Sequence, residues 1–146
     1  MNCRQWVVAI ALGAALGWFG VPSMAQSGNT FKGRLSKVPV DGKMVPIIIG
    51  TGMATATLSG TKVTVAGTFE GLGTNATTAQ LHQSKVRASR GPVIGELTVT
   101  KAASGTIGGD VNLTADQVAA LKAGLLYVQV QSEKGPEGHL WGWLLP

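Results

Sequence analysis

The chain has 146 residues, 45% of them apolar and only 13% charged, with twelve Lys and Arg against seven Asp and Glu for a net charge of +5. Its single cysteine, Cys3, rules out a disulfide framework, so any fold must stand on its core. The excess of positive charge is modest and lacks interleaved aromatics, which argues against a nucleic-acid-binding protein.

Residues 1–25 read as a secretory signal peptide, expected to be helical. Arg4 carries the only side-chain charge of a short n-region, Trp6 to Phe19 form an uncharged apolar run, and Gly20 to Ala25 form a helix-breaking exit. Ser23 and Ala25 supply the small residues that signal peptidase requires, which places cleavage between Ala25 and Gln26. Fourteen apolar residues fall short of the roughly twenty that span a bilayer, so no membrane insertion is expected after cleavage. A lipid-attachment cysteine would follow the apolar run, whereas Cys3 precedes it. The expected location is therefore periplasmic or secreted, with residues 26–146 as one domain carrying eleven Lys and Arg against seven Asp and Glu.

Along that domain, short Thr- and Val-rich runs are broken by glycine, the pattern of antiparallel β structure. Candidate strands are Phe31–Val38, Met44–Ile49, Met53–Leu58, Lys62–Phe69, Thr77–Gln83, Val93–Thr100, Gly105–Leu113, Leu125–Gln131 and His139–Leu145. Met53–Leu58 and Lys62–Phe69 alternate with period two and are joined at Ser59 and Gly60, which predicts a hairpin. Between Ser84 and Gly91 lies the densest basic stretch, Lys85, Arg87 and Arg90, read as a solvated loop able to meet an anionic surface. Thr114–Gly124 departs from the β pattern. Thr114 and Gln117 have the spacing of a capping box, Asp116 suits the positive end of the helix dipole, and Gly124 can supply a left-handed stop. One short crossover helix is expected there. Together these features predict an all-β antiparallel sandwich.

The order of motifs resembles the CHRD domain, a family named for its repeats in chordin and common as a single exported copy in bacteria. The resemblance runs through the strand at Ala54–Leu58, the segment Gly60–Leu72, the stretch Ala79-Gln80-Leu81-His82 and Val93–Leu97. It continues through Ser104–Thr106, the helical segment Leu113–Gly124, the strand at Tyr127–Ser132 and the closing strand Gly138–Leu144. It implies an immunoglobulin-like or superoxide-dismutase-like sandwich and no reaction. The family pattern usually has histidines where this chain has Gln80 and Gln131, and only His82 of that set remains.

No residue set marks an enzyme. There is no Gly-x-Ser-x-Gly elbow, and the carboxylates Asp41, Glu70, Glu96, Asp110, Asp116, Glu133 and Glu137 are scattered without an acid and base pair. No cofactor is expected. His82 and His139 are the only weak metal candidates, aided at best by Glu137 or Asp110, and a zinc site needs at least three protein ligands.

The last strand is the most distinctive feature. Period two sets Leu140, Gly142 and Leu144 on one face and His139, Trp141 and Trp143 on the other, where Tyr127, Gln129 and Gln131 would join them if the preceding strand is its neighbour. We therefore expect a candidate exposed binding face of Trp141, Trp143, His139, Tyr127, Gln129 and Gln131, meeting an unknown protein or polysaccharide of the cell envelope. The expected function is a non-catalytic binding or structural module; a metal-binding or redox protein on the same fold is the alternative.

Overall fold

Alternation along the chain becomes eight antiparallel strands in a computed structural model that describes residues 29–146. The expectations for residues 1–25, including cleavage after Ala25, lie outside those residues. In chain order the elements are β1 (Thr30–Lys37), β2 (Thr51–Ser59), β3 (Lys62–Glu70), β4 (Ala76–Gln83), β5 (Val93–Val99), β6 (Gly105–Asn112), α1 (Ala115–Lys122), β7 (Leu126–Ser132) and β8 (Leu140–Trp143).

The strands do not form the expected two-sheet sandwich. They close into a barrel in the order β1-β2-β3-β6-β5-β4-β7-β8. Two strands make the closure by changing partner along their length. β1 pairs with β2 from Thr30 to Leu35 and then passes to β8 at Ser36 and Lys37, while β5 leaves β4 after Leu97 and joins β6 at Thr98 and Val99. The β1–β8 seam depends on two facing glycines. A side chain at Gly33 would stand 2.7 Å from the Trp143 carbonyl oxygen, and one at Gly142 2.9 Å from that of Arg34, so only bare backbone lets the strands cross this closely. Every strand finds both neighbours within Thr30–Trp143, so the barrel is complete without residues 1–28.

Inward residues from all strands form the main core, among them Phe31, Leu35, Val63, Phe69, Leu81, Ile107, Val128 and Leu140. The expected β2–β3 hairpin forms, but its two-residue loop is Gly60 and Thr61, one residue on from the expected Ser59 and Gly60, with Leu58 opposite Val63 and Ser59 opposite Lys62. Helix α1 carries the chain from β6 to β7, which are not neighbours, across one end of the barrel. Its capping box is complete: Thr114 Oγ1 accepts from Gln117 N–H, and the Gln117 side chain accepts from Thr114 N–H. Gly124 takes φ +74° just past the helix end, and Ala120 and Leu121 turn into the core.

Met44–Ile49 is not a strand. It is a helical turn in the β1–β2 connection, with Ile47 N–H and Ile48 N–H both donating to the Met44 carbonyl at 2.9 Å and Met44 N–H to that of Asp41 at 3.0 Å. Pro46 has no N–H to give a ladder but fits a first helical turn, which decides between the two conformations. The turn sends Ile48 inward and leaves Val45, Ile47 and Ile49 exposed.

Candidate functional site

The outward face of β4, β7 and β8 carries a second apolar layer, outside the barrel. Register sets His82 beside Tyr127 and Tyr127 beside Trp143 in one row, and Gln80, Gln129 and Trp141 in the next. His82 stacks on Tyr127 with centroids 4.9 Å apart at 13°, while Trp143 tilts against Tyr127 at 4.7 Å and Trp141 meets it edge-on at 5.7 Å. The two indoles meet edge-on at 5.8 Å. Tyr127, Gln129, Trp141 and Trp143 thus lie together on this face, while His139 precedes β8.

The face is covered, not open. Tyr127, Gln129 and His139 are buried, Trp141 retains 8% exposure, and Trp143 and Gln131 are half-buried. Two loops from opposite ends of the barrel supply the cover. The β1–β2 arm packs Val38 and Ile48 against Tyr127 and Trp141, with Val40, Met44 and Trp143 around them. The β4–β5 loop comes from the other end: Gly91 N–H donates to Tyr127 Oη at 3.0 Å, His82 Nδ1 donates to Gly91 O at 2.9 Å, and Arg90 Nη1 donates to Glu137 O at 2.7 Å. The aromatic burials share one cause. A tryptophan or tyrosine removes a large apolar area from water, and a loop that covers it gains that area in return for its own ordering.

His139 fastens the arm. Nε2 lies 2.7 Å from Ile49 O and 3.2 Å from Ile49 N; with Nε2–H donating to the nearer carbonyl, Nδ1 accepts a hydrogen bond from the Ser132 hydroxyl at 2.6 Å. Ser132 Oγ in turn accepts from Gly135 N–H at 3.0 Å. Burial pushes the imidazole pKa below its ordinary value, opposed by the bond to Ile49. Both ring nitrogens are thus engaged in hydrogen bonds. His82 is buried, and its Nε2 has no partner. Asp110 lies on β6, paired with Lys62 at 3.1 Å, and a hydrogen bond from Thr64 foremost, with that lysine, holds its carboxyl below the usual range. Among the described residues no three of His, Cys, Asp and Glu gather as a metal site.

Gln80 and Gln131, where the resemblance leads one to expect histidines, form an amide relay instead. Gln131 Nε2 donates to Gln80 Oε1 at 3.3 Å, and Gln80 Nε2 donates to Glu96 Oε1 at 2.8 Å, tying β7, β4 and β5 together on this face.

Beside the covered layer a groove of about 410 Å³ remains between the arm, the β7–β8 turn and Arg90. Val40, Met44, Ile48 and Pro136 give it an aliphatic lining, and Asp41, Glu137 and Arg90 stand on its rim. Of the expected face residues none lines it. Sequence reading missed this groove because its walls are loops, though Pro46 inside an unbroken apolar run was a signal that the arm is not a strand.

The fold is thus a small β-barrel with one short helix, a second apolar layer and a loop-walled groove. The chain belongs to the CHRD domain family, whose model matches residues 34–144. No curated protein and no solved structure matches it.

Proposed function

We propose that this CHRD domain is a non-catalytic binding module, exported to the periplasm or the extracellular space, that takes a short segment of a partner protein into the groove between the β1–β2 arm and the β7–β8 turn. The groove itself carries the reading: an aliphatic lining with Asp41 and Glu137 at its rim suits an aliphatic side chain flanked by Lys or Arg. Its one cation, Arg90, already donates to Glu137 O. A polysaccharide fits less well, because no aromatic ring lines the groove for a sugar to stack on.

The test is a heteronuclear NMR titration of the domain from Gln26 with blocked Lys-Leu-Val and Glu-Leu-Glu tripeptides. Shifts at Asp41, Gly135 and Gly138 amides with the first peptide, weaker with the second, are expected. Shifts confined to other surfaces, or none with either peptide, refute the reading; shifts of the Trp143 indole with an oligosaccharide would move the site to the half-buried end of the aromatic layer.

A further inference from the structure

The β4–β5 loop spends far more hydrogen bonding on its shape than a solvated connection needs. Ser84 is buried; its hydroxyl donates to Val86 O at 2.6 Å and accepts from Val86 N–H at 3.2 Å, while Ser84 N–H donates to Leu125 O at 2.9 Å. Ser89 N–H closes a turn on Val86 O at 3.3 Å, and inside that turn Ala88 holds φ +61°, a left-handed conformation costly for a residue with a side chain. What the turn displays is Lys85, Val86 and Arg87, all exposed, Val86 at 65%. An apolar side chain held in water between two cations has no use within the fold.

Neighbouring elements extend the same pattern. The Arg87 guanidinium and the Leu145 side chain both come against Gly124, just past the helix end; Leu145 is itself exposed, and its backbone pairs with that of Lys32. Lys32 and Lys122 are exposed beside it. Four exposed cations and two exposed aliphatic side chains thus lie at one end of the barrel. The loop from Ser84 to Pro92 has no carboxylate. Asp116 stands at the far end of α1, about 9 Å away along the helix axis, and Asp110 is committed to Lys62.

We propose that this end of the barrel is a peripheral docking surface for an anionic lipid bilayer, with Lys85, Arg87, Lys32 and Lys122 on the phosphate headgroups and Val86 and Leu145 entering the interface. The two aliphatic side chains favour a bilayer over a soluble polyanion, which offers no apolar region to receive them. Among the described residues no helix is long and apolar enough to cross a membrane, so the contact is adsorption. The groove is walled mainly by the arm and the β7–β8 turn, at the other end, with Arg90 its one wall from the docking loop.

Cosedimentation of the domain from Gln26 with phosphatidylglycerol–phosphatidylcholine vesicles tests this. Binding is expected at low salt, absent on pure phosphatidylcholine and lost as the Debye length falls from ~10 Å to ~3 Å between about 0.1 and 1 M salt. Lys85→Gln with Arg87→Gln should weaken it about thirtyfold, near fivefold per cation. Val86→Asn should weaken vesicle binding several-fold and leave binding to dextran sulfate unchanged. Lys101→Gln, in the β5–β6 turn at the opposite end, serves as the charge control and should change little. No vesicle binding at low salt, a loss with Lys101→Gln equal to that of a loop cation, or a Val86→Asn variant indistinguishable from wild type on vesicles would each overturn the proposal, the last in favour of a soluble polyanion.

Discussion

The protein has two apolar layers built by different means. The inner one fills the barrel with side chains that alternate along every strand, and almost all of its contacts are apolar. The outer one, on the back of β4, β7 and β8, is aromatic, and buried polar groups hold it: His139 on Ser132 and Ile49, Tyr127 on Gly91, Gln129 Nε2 donating to Glu137 O at 3.1 Å. The inner layer is specified by the strands themselves. The outer layer exists only because two loops arrive from opposite ends of the barrel, and it is where the groove forms.

The difference predicts where damage is greatest. Leu81, wholly buried between β5 and β7, has nothing to replace it, so Leu81→Ala should lower unfolding free energy by about 2–5 kcal/mol, read from the shift of the denaturant midpoint at constant m. A change in m would mean that the barrel no longer unfolds as one unit with its outer layer.

Ser132→Ala attacks the outer layer at its joint. It leaves the buried His139 Nδ1 without a partner, while Gly135 N–H keeps the Ser132 carbonyl at 3.1 Å, for a loss of about 1–3 kcal/mol. Hydrogen exchange should locate that loss in the arm around Ile49 and in the β7–β8 turn, with amides inside the barrel keeping their protection. Uniform loss across the barrel would show that the two layers are a single cooperative unit.

Acid should open the same joint more gently. Because the folded state holds the His139 pKa below the unfolded value of about 6.5, the fold binds fewer protons and its contribution is fully present above that pH. It is lost as pH falls from about 6.5 toward the lowered native value, so midpoints measured from about pH 8 down to about pH 5.5 should decline. His139→Gln should flatten that decline. Asp110, whose carboxyl is held low at the surface, acts in a separate window below the ordinary carboxylate range. An unaltered slope in His139→Gln would remove His139 as its source.

The two layers were also unequally legible in the sequence. Alternation marks Ala54, Ala56, Leu58, Val63 and Val65 as one buried face without any knowledge of partners, and Thr114 with Gln117 marks the helix start by a local hydrogen-bond pair. The grouping of Trp141 and Trp143 on one face was legible too, because side chains alternate with period two, and Tyr127 joins them given that β7 and β8 are neighbours. Their burial was not, since it depends on Ile48 and Gly91, far away in the chain. Closure into a barrel was equally hidden: it requires β1 and β5 each to change partner in mid-strand, and Gly33 and Gly142 carry no sign that they face each other.

The smallest expected effect concerns a loop that serves both regions, covering Tyr127 through Gly91 and presenting Lys85 to Arg87 outward. At φ +61° an Ala pays about 1–2 kcal/mol that Gly does not, while Gly costs about 0.5–1 kcal/mol more in unfolded-state entropy. Ala88→Gly should therefore stabilise the domain by about 0.5–1 kcal/mol, seen as a small rise in denaturant midpoint with Tyr127 and Gly91 protection unchanged. Because the fold holds that strain in place through Ser84 and the Val86–Ser89 turn, a gain of this size would mean the displayed turn keeps its shape in solution. No gain, or a loss, would mean that the turn relaxes and that the outer layer is covered by Gly91 and Arg90 alone.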